Sequence, residues 1–220
     1  MTRTLARTTN APVAIRDVDV GELDLSEIRR WDAGIRLGSG WAGLQVPTLE
    51  EVLAMLSKSP DRQLYLEPKA VELAALKERV QRFRVDQQVL FVHASQEALV
   101  EIRTLFGNRP TMTWLSGDVE QIGSGFERLA VTDFQGISQL QVHLHVRAER
   151  PAIDYLFSAE QIQAMQARLA RVGVDLQLRP FAMDAASLRR LLDLGVRWFV
   201  SDSPRRFSET LRAAKELPHV

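Results

Sequence analysis

Cysteine is absent from the 220 residues, which excludes disulfides, thiolate metal sites and a thiol nucleophile. Charge of either sign in excess is also missing. The 28 basic side chains match the 28 acidic ones, and no basic stripe with interleaved aromatics occurs, so the electrostatic footprint of a nucleic-acid binder is lacking. No apolar run is long enough to cross a bilayer, which excludes a helical membrane span. The opening MTRTLARTTNAPVA has no apolar core of the kind a secretory signal needs. As written, the chain is expected to stay in the cytoplasm, although a longer N-terminus could carry an export signal. What is present, an ordinary apolar fraction of 45%, fits one soluble globular domain over 1–220.

From Leu64 onward, short runs rich in Val, Leu, Phe and Trp alternate with longer segments of helical periodicity, the signature of strand–helix units and a parallel sheet. Six strands are expected: LYLEP, VLFVH ending at His93, TMTWLS from Thr111, LQVHLHV ending at Val146, VDLQLRP from Val174, and VRWFVSD ending at Asp202. Helices are expected at Val71 to Phe83, Gln96 to Phe106, Ser158 to Val172 and Ala185 to Leu194. Ser158 with Gln161 makes a capping box, and Gly195 stops the last of these helices. Upstream, Thr48 caps an amphipathic helix in TLEEVLAML. The segment 1–46 reads as loop-rich, with a short helical candidate near Ser26 to Trp31. Residues 47–220 carry the repeats.

The stretch LYLEPKA places Glu67 and Lys69 on one face of a strand, because side chains alternate with period two. Two readings stand side by side: a solvent-reaching ion pair at a strand end, or a carboxylate and an ammonium serving a ligand. His143 and His145 also share a face, as half-buried or solvent-facing strand residues or as two ligands of a transition metal. GSGFERL, Gly123 to Leu129, has no strand directly before it and no Gly-Lys-Ser after it, and reads as a flexible loop rather than a phosphate loop. His219 receives no role.

Six fragments in order carry a resemblance: LARTTN (Leu5 to Asn10), DAG (Asp32 to Gly34), VPTLEEVL (Val46 to Leu53), LYLEPK, FAMD (Phe181 to Asp184) and LGVRWFVSDSP (Leu194 to Pro204). Together they resemble the glycerophosphodiester phosphodiesterase family. The resemblance implies an α/β fold, a TIM (β/α)8-type barrel lacking its first two strands. It also implies metal-dependent hydrolysis of glycerophosphodiesters to glycerol 3-phosphate and an alcohol. It makes Glu67 a ligand of Mg²⁺ or Ca²⁺ and Lys69 a catalytic phosphate contact. Phe181, where the family has tryptophan, becomes a substrate-facing wall, with a plain core aromatic as the other reading, and Asp184 stands for a following asparagine. His93, where the family has serine, is a candidate substrate contact. Asp202 is read as scaffold that caps or orients the turn before Pro204.

Against the same family, a His-Arg-Gly, a Glu-x-Asp and a His-Asp pair have no counterparts. Alignment on LARTT puts Met1 and Thr2 where that His-Asp would stand. The pattern predicts a truncated, weakly active or inactive chain whose open sheet edges invite self-association. The rival is a non-catalytic protein of the same fold that binds a ligand or partner.

Overall fold

The computed structural model describes residues 3–150 and 152–218. Met1, Thr2 and His219 lie outside the described residues. The chain forms two compact units, the first running to Phe91 and including Leu105–Arg109, the second formed by Val92–Thr104 and the residues from Pro110 on.

In the first unit, short helices α1 (Val13–Arg16) and α2 (Leu25–Ile28) precede α3 (Leu49–Leu56), β1 (Leu64–Leu66) and α4 (Leu73–Arg82). Thr48 caps α3 as expected: its hydroxyl accepts from the Glu51 N–H at 3.2 Å while the Glu51 carboxylate accepts from the Thr48 N–H at 2.8 Å. β1 pairs in parallel with β2 (Val89–Val92), Leu66 opposite Phe91. Leu53, Leu66, Leu76 and Phe91 are buried, with the Phe106 ring 4.3 Å from that of Phe91. β1 stops short of the expected LYLEP because Pro68 has no N–H to continue the ladder.

After β2 and α5 (Gln96–Phe106), the second unit continues through β3 (Thr111–Leu115), α6 (Val119–Ala130), β4 (Gln139–Leu144), β5 (Val146–Ala148), β6 (Asp154–Tyr155), α7 (Ala159–Ala170), β7 (Asp175–Pro180), α8 (Ala185–Asp193), β8 (Trp198–Phe199) and α9 (Pro204–Glu216). β3, β4, β7 and β8 lie side by side, all parallel. With β1 and β2 they make the six parallel strands of an α/β fold of the (β/α)8 type. Leu140, Val142 and Leu144 of β4 and Leu176 and Leu178 of β7 belong to one buried cluster with Ile122 and Phe126 of α6, Ile162 and Leu169 of α7, and Leu191 of α8. By alternation, Gln141, His143, Gln177 and Arg179 face the other way.

Three expectations are corrected. Gly123 to Leu129 is not a loop but the middle of α6, capped by Asp118, whose carboxylate accepts from the Gln121 N–H at 2.8 Å. Ile122, Phe126 and Ala130, four apart, bury one face of it. Strand β4 ends at Leu144 rather than Val146, because Val146–Ala148 turns away into an antiparallel pair with Asp154–Tyr155. That pair was not expected at all. The Ser158–Gln161 capping box and the Gly195 stop (φ 90°) are present as read.

Candidate functional site

Leu66 of β1 turns into the core, so Tyr65, Glu67 and Lys69 fall on the opposite side, and Pro68 is buried between the two charged residues. The Lys69 ammonium donates to Oε1 of Glu67; the two side chains are 30% and 31% exposed. The strand therefore presents one carboxylate and one ammonium together, partly in solvent. Among the described residues no three His, Cys, Asp or Glu side chains group closely enough to cage a metal ion. A closed all-protein site for Ca²⁺ does not fit. A hydrated Mg²⁺ that keeps most of its waters and shares one carboxylate with a ligand phosphate does fit. Such an ion neutralises phosphoryl charge when bound.

In the second unit, the carboxyl ends of β4 and β7 gather the other chemistry-bearing groups. His143 is the register partner of Arg179. The Phe181 ring stacks on His145 (centroids 4.4 Å, 11°), makes a T-shaped contact with His143 (centroids 5.4 Å, 77°), and has the Arg179 guanidinium carbon 5.2 Å from its centroid. Phe181 is 51% exposed, so it is a rim residue and not a core aromatic. Burial first, then the positive charges of Arg179 and His145, push the His143 imidazole below its ordinary value. Next to this group lies an open cavity of about 490 Å³, lined in part by Arg179, Phe181, Ser201, Asp202, Ser203 and Arg206.

His93 follows β2, and its Nδ1 accepts from the Ser95 N–H at 3.0 Å, which places the ring proton on Nε2. Asp202 does not cap α9: the residue before Pro204 is Ser203, whose side chain makes no cap bond, and Asp202 instead accepts from Arg179 Nη2 at 2.8 Å. Asp184 caps α8, accepting from the Ser187 N–H at 2.7 Å. That bond first of all holds its carboxyl below the usual range. His143 and His145 have no third metal ligand among the described residues. Arg179 was not singled out in the sequence. Its only signal there is the two-residue spacing to Phe181, which puts both on one strand face.

No model of a protein family matches the sequence, and no curated protein matches it. Solved structures do. A Silicibacter pomeroyi DSS-3 protein named provisionally as a glycerophosphoryl diester phosphodiesterase superposes with a TM-score of 0.69 at 20% identity, over 98% of this chain and 77% of its own. A glycerophosphodiester phosphodiesterase from Agrobacterium tumefaciens str. C58 gives 0.64 at 20% identity, over 94% and 78%. A glycerophosphoryl diester phosphodiesterase from Parabacteroides distasonis ATCC 8503 gives 0.64 at 14% identity, over 100% and 71%. This likeness establishes the fold. No helix among the described residues is long and apolar enough to cross a membrane.

Proposed function

We propose that this chain, whose fold is that of the glycerophosphodiester phosphodiesterases, is a phosphoric diester hydrolase scaffold that recognises a glycerophosphodiester through Lys69, with Glu67 sharing a hydrated Mg²⁺ or Ca²⁺ with the substrate phosphate. The pairing of Glu67 and Lys69 just after β1, on the side opposite Leu66, carries this reading. An ammonium beside a phosphoryl group stabilises the charge that accumulates in the transition state. Within the second unit, Phe181 offers an apolar wall and His93 a ring N–H, each proposed as a ligand contact on its own chemistry.

Turnover is slow in this reading. Residues 1–220 by themselves hold no counterpart of the family's His-Arg-Gly, Glu-x-Asp or His-Asp motifs, and each acid or base role that is not supplied lowers a rate by ~10² to 10⁴. The outer edge of β8, at the end of the strand order, is the place for self-association with a second copy, measurable by sedimentation at rising concentration.

Release of glycerol 3-phosphate from glycerophosphocholine, with Mg²⁺, with Ca²⁺ and with a chelator, tests the reading. Slow, metal-dependent release that disappears in Glu67→Gln and Lys69→Met supports it. Hydrolysis that both substitutions leave unchanged overturns it.

A further inference from the structure

We propose that His143, His145 and Arg179 form an oxyanion site for a phosphate-bearing small molecule, at the carboxyl ends of β4 and β7 on the side opposite the helix-packed core. Alternation along β4 and β7 separates the side chains in the required way: Val142, Leu144 and Leu178 enter the helix-packed core, while His143 and Arg179 turn to the opposite face as register partners. His145 joins them there, its ring 6.4 Å from that of His143 and stacked on Phe181.

All three groups carry N–H donors, and the two charges that His143 senses, Arg179 from β7 and His145 from the segment after β4, are both positive. On the other side of β4, strand β3 reads Thr-Met-Thr-Trp-Leu and contributes no titratable group. Among the described residues Arg179 pairs with the acid Asp202, whose side chain is 82% exposed. The acid end of this pair lies in solvent, while the Arg179 side chain is 30% exposed, so an anion can take the place of Asp202 with little loss from the carboxylate. The guanidinium keeps a fork of five donors, of which the Asp202 bond uses one.

The donor set selects phosphate over carboxylate. A phosphate group can give the guanidinium two oxygens and still offer a further oxygen to the imidazoles, whereas a carboxylate has both its oxygens engaged by the guanidinium fork and only their remaining lone pairs left. Phe181 and the adjoining cavity of about 490 Å³ give room and an apolar wall for an organic remainder. By linkage, an anion held here raises the His143 pKa, and binding tightens as pH falls through its titration.

The test uses the full chain in a chelator. Inorganic phosphate, glycerol 3-phosphate and neutral glycerol are titrated in while the imidazole Cε1–H resonances are followed by NMR, with His143→Gln and His145→Gln providing assignments. Both phosphates are expected to shift His143 and His145 saturably, with glycerol without effect. Arg179→Gln should weaken the midpoint about tenfold, Arg179→Lys should recover part of it, and Glu67→Gln should change nothing. Absence of a saturable shift overturns the proposal. So does an unaltered midpoint in Arg179→Gln whose circular dichroism matches the parent. Loss in Glu67→Gln alone assigns the phosphate to the first unit and overturns it too, so this site and the Glu67–Lys69 reading stand or fall separately.

Discussion

Lys69 donates to Glu67 across Pro68, two charged side chains held together at the end of one strand with about a third of each in solvent. Exposure makes the pair cheap to break, worth about 0–1 kcal/mol, while its ligand contacts are worth more. Lys69→Met is therefore expected to leave the thermal midpoint nearly unchanged and to weaken glycerol 3-phosphate binding about tenfold, as loss of one charge-assisted hydrogen bond does. A large drop in thermal midpoint would show that the pair is structural.

The two glycines of α6 have opposite roles. A Cβ on Gly125 would come 2.8 Å from Cδ2 of Leu115, whereas one on Gly123 meets nothing within 4 Å. Gly123→Ala is expected to stabilise the protein by about 0.5–1 kcal/mol through helix propensity. Gly125→Val is expected to cost about 1–3 kcal/mol by forcing Leu115 off its packing against the helix. Urea unfolding of both variants checks the pair.

These glycines also explain why α6 was not legible. Two of them in three residues read as a loop, and the Asp118–Gln121 cap and the four-residue spacing of Ile122, Phe126 and Ala130 outweigh that cost only once the helix has a core to face. Strands β2, β3 and β4 were legible because each is a short apolar run with mostly buried residues. The β5–β6 pair, three and two residues long, is too short to show a period. Glu67 and Lys69 could be placed on one face from sequence alone. The approach of His143 to Arg179 could not, because it depends on the register between β4 and β7, which no local pattern encodes.

Asp32 ties a loop of the first unit: its carboxylate accepts from the N–H of Gly43 at 2.7 Å, Gly34 at 2.8 Å and Ile35 at 3.0 Å. These bonds, that of Gly43 foremost, hold its pKa below the ordinary 3.8. A depressed carboxyl stabilises the fold above its unfolded pKa and loses that contribution as pH falls through the folded value. Asp32→Asn is expected to lower the thermal midpoint at neutral pH and to flatten its decline below pH 3.8; a parallel decline in both proteins would contradict the assignment.

For His143 the depressed group is a base, with the fold favouring the neutral ring. Its contribution is complete above the unfolded value of 6.5 and is lost as pH falls from there to the lower folded pKa. His143→Gln is expected to be less sensitive than the parent to acid across that window, in thermal melts taken from neutral pH downward.

Calorimetric titration of glycerol 3-phosphate with and without Mg²⁺, in the parent and in Glu67→Gln, bears most directly on the claim that Glu67 and Lys69 receive a metal-bound phosphate. Binding that tightens with Mg²⁺ in the parent and loses that metal dependence in Glu67→Gln is the expected result. An equal response to Mg²⁺ in both proteins, or none in either, would contradict it.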